Sequence, residues 1–573
     1  MDTQPTAAFA ALVRRAVTAA FGADYADVDP QVRRSERADV QADLAMGLSR
    51  RAKKAPRAIA EAIVAAIPPN DLVAKLEIAG PGFINATLRD SWLAAATQHI
   101  ARDARLGVPG SPAPETIVVD YSHPNVAKEM HVGHLRSTVI GDALVRVLGF
   151  RGHAIIRQNH IGDWGTPFGM LIEHLDDLGD SRAEAELAIG ELGAFYKAAR
   201  DKFDSDPAFA DRSRKRVVSL QAGDAKTLAR WRTLVELSMR YFETVYARLG
   251  ITLTRGDLAG ESFYNDRLAP LARELEASGY ARISDGALCA FPAGFKNREG
   301  NPLALIIRKS DGGFGYAATD LSALRYRLAE RHATRILYVV GAPQQQHLAM
   351  VFQVARELGW LAEPARAQHV PFGSVLDTNK QMLKSREGNT IRLVGLIDEA
   401  IARAHREALA KGVDPADAPG IARIVGVGAI KYADLANDRV KDYIFDLDRM
   451  VSFEGNTAGY AQYAHARARS VIRKAGGAPP AAIAIAEPAE RALALALLDL
   501  PAVVAAVEDS LEPHRLATYV HDVAAAFTAF YDACPVISAE PATRASRLVL
   551  VDTTARVITC ALGLLGIDVL ERM

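Results

Sequence analysis

The sequence predicts an α/β protein with a parallel sheet, followed by an all-helical carboxyl-terminal part. A β-branched run at Thr116–Tyr121 predicts a buried strand, and after a turn-rich loop the apolar residues of 131–148 recur at helical spacing. A second unit of the same kind has a predicted strand at Arg335–Val340 and an amphipathic helix at His347–Trp360. Repeated strand–loop–helix units favour a parallel sheet, because parallel strands are usually joined by a crossover helix.

Composition and charge narrow the class of protein. The chain has 573 residues, and its 49% hydrophobic and 24% charged residues are ordinary for a soluble globular protein. That length suggests about three domains. Lys and Arg together number 68, as do Asp and Glu, so the formal net charge is zero. Contact with nucleic acid would therefore depend on local basic patches rather than on overall charge.

Cysteine and hydropathy patterns indicate a cytoplasmic protein. The three cysteines, Cys289, Cys534 and Cys560, are far apart in the sequence, which argues against a structural zinc site and against a disulfide framework. No apolar run reaches the roughly 18 residues that a membrane-spanning helix needs. The amino terminus lacks the pattern of a signal peptide. We therefore expect a cytoplasmic location, no membrane partner and no structural metal.

Residues 1–110 are predicted to form a first unit. Helices at Ala8–Phe21 and Val40–Lys53 precede a strand pair within Lys75–Leu88, which turns at Gly80–Gly82. Five basic side chains cluster around the end of the second predicted helix: Arg50, Arg51, Lys53, Lys54 and Arg57. Such a charge cluster is most often a solvated face.

Residues 111–395 are predicted to form one nucleotide-binding domain with an insertion at about 170–305. Within the insertion, highly charged helices are predicted over 180–250. Two hairpins are predicted after them, at Tyr280–Phe291 and Leu303–Tyr316, because each contains an Asp-Gly turn between apolar runs. The insertion is expected to separate the two halves of the sheet.

A strand at His369–Leu376 completes the predicted sheet. A helical stem is expected at 396–450, and an all-helical domain is expected at 451–573. Within that domain, apolar residues at helical spacing predict helices over Leu516–Phe530 and Arg547–Leu565.

The first strand–loop–helix unit carries the strongest chemical pattern. The helix begins at His131–His134, which reads HVGH, and a spacing of three places both imidazoles on one helix face. A helix amino terminus that follows a parallel strand favours phosphate, because free N–H groups and the helix dipole both attract an anion. Imidazole donors there suit charge that develops on an α-phosphate. The alternative is a chance pair of surface histidines, since so short a motif is weak by itself.

The residues around HVGH carry a family resemblance. The run leading into and including this motif is Pro124, Asn125, Val126, Ala127, Lys128, Glu129, Met130, His131, Val132, Gly133 and His134. HVGH resembles the first signature of the class I aminoacyl-tRNA synthetases, and the longer run resembles that of the arginyl-tRNA synthetases. The segment 162–169, GDWGTPFG, is similar to the same family. The resemblance extends from about Glu77 to Met573.

The resemblance implies a fold and a reaction. It implies a Rossmann-like class I catalytic domain, an α+β amino-terminal tRNA-binding domain, and an all-α anticodon-binding domain. It further implies that L-arginine reacts with ATP to give arginyl-adenylate and is then transferred to tRNA(Arg), with Mg²⁺ accompanying ATP and with tRNA required for the first step. No proofreading site is expected, because a polar pocket can select a guanidinium directly.

The resemblance also implies residues that handle ATP. The expected catalytic residues are His131, His134, Lys128 and Lys384. The expected ATP-binding residues are Gly133, His131, His134, His347, Met382 and Lys384. The second class I signature, KMSKS, is altered here, since Gln381 and Leu383 replace its first lysine and first serine. Lys384 is expected to stabilise the leaving group and Lys128 to share that task, whereas the segment alone would suggest only a basic surface loop.

By resemblance, Tyr316 and Asp320 fall on the arginine-binding pair of this family. These residues are four apart, so on a helix they share a face. A carboxylate can form two parallel hydrogen bonds to a guanidinium, and an aromatic ring can stack on its plane. By resemblance, the remaining arginine-binding candidates are Asp120, Asn125, Gln344 and Glu261. Without the resemblance, a surface aspartate, a core tyrosine and turn-forming polar residues would be the plainer interpretation.

Four residues are predicted to contact tRNA. By resemblance Asn85 is the candidate in the amino-terminal domain, with a turn residue at a strand end as the alternative. In the tail, Tyr460, Tyr463 and Arg467 interleave aromatic and basic groups on which single-stranded bases stack. Because aromatic residues at helical spacing often lie in a core, we expect some of these to be buried.

Two other functions stay open at this point. A small-molecule adenylyltransferase also carries HxGH, but such an enzyme needs neither the tail nor the amino-terminal domain. A non-catalytic tRNA-binding relative is disfavoured by the intact His131, His134, Asp320 and Lys384. We expect a monomer, because the sequence shows no heptad seam.

Overall fold

The computed structural model describes residues 3–35, 37–165, 167–179, 192–383 and 392–572. The helices and strands named below all lie within those residues and are numbered in chain order.

The amino-terminal unit packs four helices against an antiparallel sheet. Its elements are α1 Pro5–Phe21, β1 Val32–Arg34, β2 Val40–Ala42, α2 Leu44–Ala52, α3 Pro56–Ala65, β3 Val73–Ala79, β4 Phe83–Leu88 and α4 Asp90–Arg102. The four strands lie in the order β1-β2-β4-β3. The predicted helix at Val40–Lys53 is wrong in its first part, because Val40–Ala42 pairs with β4 and is fully buried. Tertiary pairing here overrides the local helical pattern.

The sheet of the predicted nucleotide-binding domain has four parallel strands in the order β11-β10-β5-β6. Its first half contains β5 Thr116–Asp120, α5 Val132–Phe150 and β6 Ala154–Gln158, and its second half contains β10 Arg335–Tyr338, α12 Gln345–Glu357 and β11 Arg366–His369. The central neighbours β5 and β10 start the two halves, so the strand order reverses between them. In such sheets the crevice at the carboxyl ends of the two central strands binds ligands.

The predicted strand at His369–Leu376 is divided in the structure. Only Arg366–His369 joins the parallel sheet, whereas β12 Val375–Leu376 pairs in parallel with β13 Tyr443–Ile444. The chain leaves the sheet at Val370–Ser374, where Gly373 lies so close to Lys441 that a Cβ would be 2.7 Å from its carbonyl oxygen. The segment leading to the altered second signature is thus anchored to the stem rather than to the main sheet.

The insertion consists of helices followed by a small antiparallel sheet. Its described elements, with the helix that follows, are α6 Pro167–Leu178, α7 Leu192–Ser205, α8 Pro207–Gln221, α9 Ala225–Leu249, α10 Asn265–Ala277, β7 Ala281–Ser284, β8 Ala287–Ala290, β9 Leu305–Arg308 and α11 Tyr316–Ala329. The first predicted hairpin is confirmed, with Asp285 and Gly286 both at positive φ as a tight hairpin turn requires. The second predicted hairpin is confirmed at its turn, where Arg308 and Phe314 form an antiparallel bridge. It is wrong in its extent, because β9 pairs with β8 instead of with a second long strand.

The tail is helical, as predicted. Its elements are α13 Leu393–Ala410, α14 Ala418–Leu435, the short α15 Leu447–Met450, α16 Ala458–Lys474, α17 Pro488–Leu497, α18 Leu500–Ser510, α19 His514–Ala533 and α20 Pro541–Leu564. One hydrophobic core joins the amino-terminal unit, the first half of the sheet and this tail, and a second core lies beneath the other half. Among the described residues, no helix combines the length and apolar character needed to cross a membrane.

Candidate active site

The loop after β5 is held in a strained shape at the carboxyl edge of the sheet. Ser122, His123 and Ala127 have φ of 81°, 55° and 58°, in the left-handed region that non-glycine residues rarely adopt. Hydrogen bonds fix this shape, since the Ser122 N–H donates to Ser137 Oγ at 2.9 Å. Such residues typically cost about 1–3 kcal/mol each and cluster at functional sites.

His131 and His134 cap the first turn of α5 reciprocally. The Gly133 N–H donates to His131 Nδ1 at 3.0 Å, and the His131 N–H donates to His134 Nδ1 at 3.1 Å. Their ring centroids are 3.9 Å apart. Because each Nδ1 accepts a hydrogen bond, the proton of each neutral ring is on Nε2, and two N–H donors result.

Burial keeps both imidazoles neutral. Burial, and then the nearby Lys128, lower the pKa of His131. Burial and then the neighbouring His131 lower the pKa of His134 to about 3. At neutral pH the pair therefore offers hydrogen-bond donors, not positive charge, to a bound phosphate.

Two glycines of α5 allow close approach. A Cβ on Gly133 would lie 2.8 Å from His131 Cε1, so glycine makes room for the capping imidazole. A Cβ on Gly141 would lie 2.4 Å from Tyr121 Cβ, so glycine lets the helix pack directly on the end of β5. The histidine pair is thereby held at the carboxyl edge of the central strand.

Of the two lysines predicted to be catalytic, Lys128 lies within the described residues and Lys384 does not. Lys128 is half-buried, with Nζ 4.2 Å from the ring centroid of Tyr196, and it lies close enough to His131 to affect its pKa. Met382 is 57% exposed, at the end of the segment that leaves β12. Lys384 lies outside the described residues, so its predicted role stays a prediction.

The predicted guanidinium-binding residues lie at the start of α11. Tyr316 opens this helix and is 75% exposed, and Asp320 is half-buried one turn later. Asp320 Oδ2 is 2.6 Å from His347 Nε2 on α12, and this hydrogen bond raises the pKa of His347. His347, which is predicted to contact ATP, thus contacts Asp320, the carboxylate that is predicted to bind the guanidinium of arginine.

Glu261 faces the same region. Burial, and then the charges of Asp163 and Asp320, raise the pKa of Glu261 to about 7. Asp163 is 5% exposed and accepts hydrogen bonds from the Ser262 N–H at 2.8 Å and from Ser262 Oγ at 2.6 Å. Carboxylates that repel each other in this way attract a cation such as a guanidinium.

Asp120 lies at the centre of the sheet edge but is already engaged. Its Oδ1 is 3.0 Å from His123 Nε2, and its Oδ2 accepts from Arg327 Nη2 at 2.6 Å. Although burial pushes the pKa of Asp120 upward, Arg327, His123 and His160 hold it below the usual value. The predicted contact between Asp120 and arginine stays a prediction.

Asn125 and Gln344 are exposed residues of the loops that follow β5 and β10. Asn125 lies against Gly162, where an added Cβ would be 2.4 Å from its Oδ1. Both loops emerge from the carboxyl edge, so the two predicted contacts lie on the same side of the sheet as the histidine pair. Their contacts with arginine stay predictions.

The predicted tRNA contacts differ in exposure. Asn85 lies inside β4 rather than at a strand end, is 5% exposed, and accepts a hydrogen bond from Ser35 Oγ at 3.1 Å. Tyr460 is half-buried, whereas Tyr463 is 41% exposed. These contacts also stay predictions.

The Arg467 guanidinium lies between two tyrosine rings, 4.8 Å from the centroid of Tyr463 and 5.0 Å from that of Tyr531. Sequence reasoning missed Tyr531, which is 38% exposed, because it comes from a different helix of the tail. The three side chains form an exposed surface of the kind on which bases stack.

Sequence reasoning also missed Arg327. It lies seven residues after Asp320, which places both on one helix face, and that spacing was a usable signal. Within the described parts of the chain, no group of three or more His, Cys, Asp or Glu side chains is arranged to hold a metal ion.

Three family descriptions match consecutive parts of the chain. Residues 7–88 match "Arginyl tRNA synthetase N terminal domain", residues 96–447 match "tRNA synthetases class I (R), catalytic domain", and residues 461–573 match "DALR anticodon binding domain". The arginine–tRNA ligase of Thermobifida fusca is 53% identical over 99% of this chain and 100% of its own length. That of a Nostoc species is 46% identical over 98% of each chain.

Solved structures agree over the whole length. The arginyl-tRNA synthetase of Thermus thermophilus matches with a TM-score of 0.83 and 25% identity, covering 99% of this chain and 100% of that one. The arginyl-tRNA synthetase of Plasmodium falciparum matches with a TM-score of 0.82 and 26% identity, covering 99% of both chains. With the parallel sheet, the two domains around it and the capped HVGH helix, these likenesses lead to one conclusion: the chain belongs to the arginyl-tRNA synthetase family.

Proposed function

We propose that this chain activates L-arginine with ATP and transfers the arginyl group to the 3′ end of tRNA(Arg), releasing AMP and diphosphate. The observation that supports this proposal is the pair of neutral imidazole donors at the start of α5, together with the mutually repelling carboxylates Glu261 and Asp320 of the second half of the domain. One part of the site suits a polyphosphate, and the other suits a cation.

In the first step, an oxygen of the arginine carboxylate attacks the α-phosphorus of ATP, and the bond to the β-phosphate breaks. Negative charge builds on the α-phosphate oxygens during this displacement. The Nε2–H groups of His131 and His134 donate to that charge, in a geometry fixed by the capping hydrogen bonds. We assign no covalent nucleophile, so catalysis rests on positioning and on stabilisation of charge.

Selection of arginine is proposed to depend on carboxylates. Asp320 accepts two hydrogen bonds from the guanidinium, Glu261 supplies a second negative charge, and Tyr316 covers the planar group. Asn125 and Gln344 are placed by their loops to contact the amino acid backbone. His347 gives up its hydrogen bond to Asp320 when the guanidinium binds and is then available to ATP.

Diphosphate departure is proposed to depend on Lys128 and Lys384, with Mg²⁺ arriving on the phosphates of ATP. Lys128 lies on the loop that leads into the histidine pair, and the contact of its ammonium with the Tyr196 ring limits where the ammonium can point. In the second step, the terminal ribose hydroxyl of tRNA attacks the arginyl carbonyl carbon and AMP leaves. The tail contributes Tyr460, Tyr463 and Arg467 to bind tRNA, with Tyr531 added on the basis of the stack.

We further propose that the chain works as a monomer in the cytoplasm. All three cysteines are free, with Cys289 and Cys534 buried, which suits a reducing compartment. The oligomeric state is tested by light scattering at micromolar concentration, where a mass of twice 61.7 kDa would contradict it.

The function is tested by arginine-dependent exchange between ATP and labelled pyrophosphate, with and without tRNA(Arg). We expect exchange that requires arginine and is strongest with tRNA present. Absence of exchange in both conditions would leave a non-catalytic tRNA-binding protein. Exchange driven by another acid without tRNA would indicate a small-molecule adenylyltransferase.

The guanidinium assignment is tested by Asp320→Ala. Because a charge-assisted pair is lost, the KM for arginine should rise about 100-fold, which corresponds to about 2.7 kcal/mol, while the KM for ATP changes little. Asp266→Ala removes an exposed carboxylate from the first turn of α10 and serves as the matched control. An unchanged KM for arginine in Asp320→Ala would refute the assignment.

A further inference from the structure

Arg327 lies across the carboxyl ends of three adjacent strands. The last residues of these strands are register partners: Gln158 on β6 is level with Asp120 on β5, which is level with Tyr338 on β10. Arg327 comes from the carboxyl-terminal part of α11 and is 0% exposed. One guanidinium therefore reaches both halves of the catalytic sheet.

Each of these three residues contacts Arg327. Its Nε donates to Gln158 Oε1 at 2.5 Å, and its Nη2 donates to Asp120 Oδ2 at 2.6 Å. The guanidinium carbon is 4.9 Å from the ring centroid of Tyr338. A planar fork of donors can make these contacts at once, whereas an ammonium cannot.

Arg327 shares a helix face with the predicted guanidinium-binding residues. At 100° per residue, positions 316, 320 and 327 fall within about 40° around the axis of α11. Asp320 and Arg327 are seven residues apart, so they are separated by about 10 Å along one continuous helix. Any rotation or sliding of α11 at Arg327 therefore moves the Asp320 carboxylate.

Asp120 connects Arg327 to the segment that carries the histidine pair. The loop from Asp120 leads directly to His131, and the Asp120 carboxylate also holds His123 in that loop. Asp120 thus contacts the segment that carries the phosphate donors and, through Arg327, the helix that carries Asp320. The ion pair between Asp120 and Arg327 therefore connects the proposed phosphate-binding part of the site to the proposed guanidinium-binding part.

We propose that Arg327 is a positioning residue, which holds Asp320 at a fixed distance from His131 and His134 and so determines selectivity for arginine. The proposal rests on the function proposed above. Arg327 does not touch substrate, and it acts through the position of α11. Asp120 acts through Arg327, because the ion pair with Arg327 connects it to α11.

The first test compares Arg327→Met with the wild-type enzyme. Loss of the fork frees α11 to shift, and a displacement of about 1 Å can cost about 100-fold, so the KM for arginine should rise about 10- to 100-fold. The KM for ATP should stay within about twofold, since the histidine pair is anchored separately by its own capping bonds. Discrimination against citrulline, the uncharged isostere of arginine, should fall by a similar factor.

Arg136→Met is the matched control. Arg136 is also a buried arginine paired with an aspartate, with Nε 3.1 Å from Asp434, but it ties α5 to the stem rather than to α11. Both variants should lower the unfolding midpoint, because each leaves a buried carboxylate unpaired. Only Arg327→Met should raise the ratio of KM for arginine to KM for ATP. An equal ratio in both variants would overturn the proposal.

Gln158→Leu covers the case in which Arg327→Met does not fold. It removes only the contact at Nε and keeps the ion pair with Asp120, so the KM for arginine should rise by a smaller factor. Arg327→Lys should behave similarly, because a lysine keeps the charge but lacks the fork. Wild-type KM for arginine in both variants would also overturn the proposal.

The double variant Asp120→Asn with Arg327→Met separates positioning from direct binding. Removing both charges should restore part of the lost stability, while the KM for arginine stays as high as in Arg327→Met alone. A further large rise in the double variant would instead indicate that Asp120 binds arginine directly.

Calorimetric binding of arginine to the same proteins gives a readout independent of turnover. Arginine binding without exchange in the wild type would contradict the proposed function alone, and no binding would contradict both.

Discussion

Glu261 combines burial with negative neighbours. Burial, and then the charges of Asp163 and Asp320, make this carboxylate ionise less readily, so its pKa is raised to about 7. The folded-state pKa lies above the usual value of 4.5, so the folded state binds more protons between pH 4.5 and 7. Stability from this group is therefore largest at low pH and falls as the pH rises through that window.

The affinity for arginine should depend on pH in the opposite direction to the stability. A guanidinium favours the ionised form of Glu261, so binding releases a proton, and the apparent affinity for arginine should fall as the pH drops from 8 to 6. The limiting slope is about tenfold per pH unit. His347 adds to this trend, because its protonated form competes for Asp320.

Glu261→Gln isolates the contribution of Glu261. In this variant calorimetry should find weaker arginine binding at pH 8 and a flatter dependence on pH, with only the part due to His347 remaining. His347→Asn gives the complementary variant. An unaltered slope in Glu261→Gln would show that Glu261 does not titrate with arginine.

At the residue scale, spacing within one element was predictable and contacts between distant elements were not. Tyr316 and Asp320 were assigned by resemblance, and their spacing of four correctly predicted that they share one helix. The position of Asp120 at a strand end was predicted from the pattern, but its partner Arg327 is 207 residues away in the chain, and no local pattern indicates that pairing. Tyr531, which stacks on Arg467, was missed for the same reason.

Helix α5 depends on glycine where it crosses the end of β5. An added Cβ at Gly141 would lie 2.4 Å from Tyr121 Cβ, which is backbone-anchored and cannot move aside. At Gly149, eight residues farther along the same helix, the nearest atom to an added Cβ is Ile155 Cγ1 at 3.7 Å. The two positions have the same residue type and helix but differ in available space.

Gly141→Ala should therefore destabilise the protein by about 1–3 kcal/mol and lower kcat, because the whole helix with its histidine pair is displaced. Gly149→Ala should be neutral or stabilising by up to about 1 kcal/mol, since alanine has the higher helix propensity. Urea unfolding and pyrophosphate exchange of both variants check this. Equal effects at the two positions would contradict the steric explanation.

Elements were predictable wherever one sequence pattern was long and consistent. The strand and helix from Thr116 to Phe150 match the prediction because apolar periodicity changes once, at the loop. Val40–Ala42 was missed because these three residues gain strand structure only from pairing with β1 and β4. The break after His369 was missed because it depends on contact with the stem, which lies about 70 residues later.

Across the whole molecule, the end of stem helix α14 joins three regions. Lys431 Nζ donates to Leu249 O at the end of α9, at 2.9 Å, and also to Gly566 O after α20. Tyr432 Oη is 2.7 Å from Ala517 O in the tail. Asp434 pairs with Arg136 of α5 at 3.1 Å. These contacts connect the insertion, the tail and α5, and they favour a single unfolding transition.

Lys431 gives this junction a dependence on pH. Burial lowers the pKa of Lys431 from 10.5 to about 8. The unfolded state then binds more protons between pH 8 and 10.5, so the contribution of Lys431 to stability rises with pH in that window, with a limiting slope of about 1.4 kcal/mol per pH unit. The free energy of unfolding of the wild type minus that of Lys431→Met, measured with urea, should be more positive at pH 9.5 than at pH 7.5. A value that is less positive at pH 9.5 would contradict the lowered pKa.

The mutual capping of His131 and His134 has a consequence for heat inactivation. The same two rings cap the start of the helix and are the donors proposed for the phosphate, so the opening of a single turn would remove both donors while the remaining fold persists. Loss of turnover on warming is then expected to precede cooperative melting, and on brief cooling the turn re-forms and turnover returns.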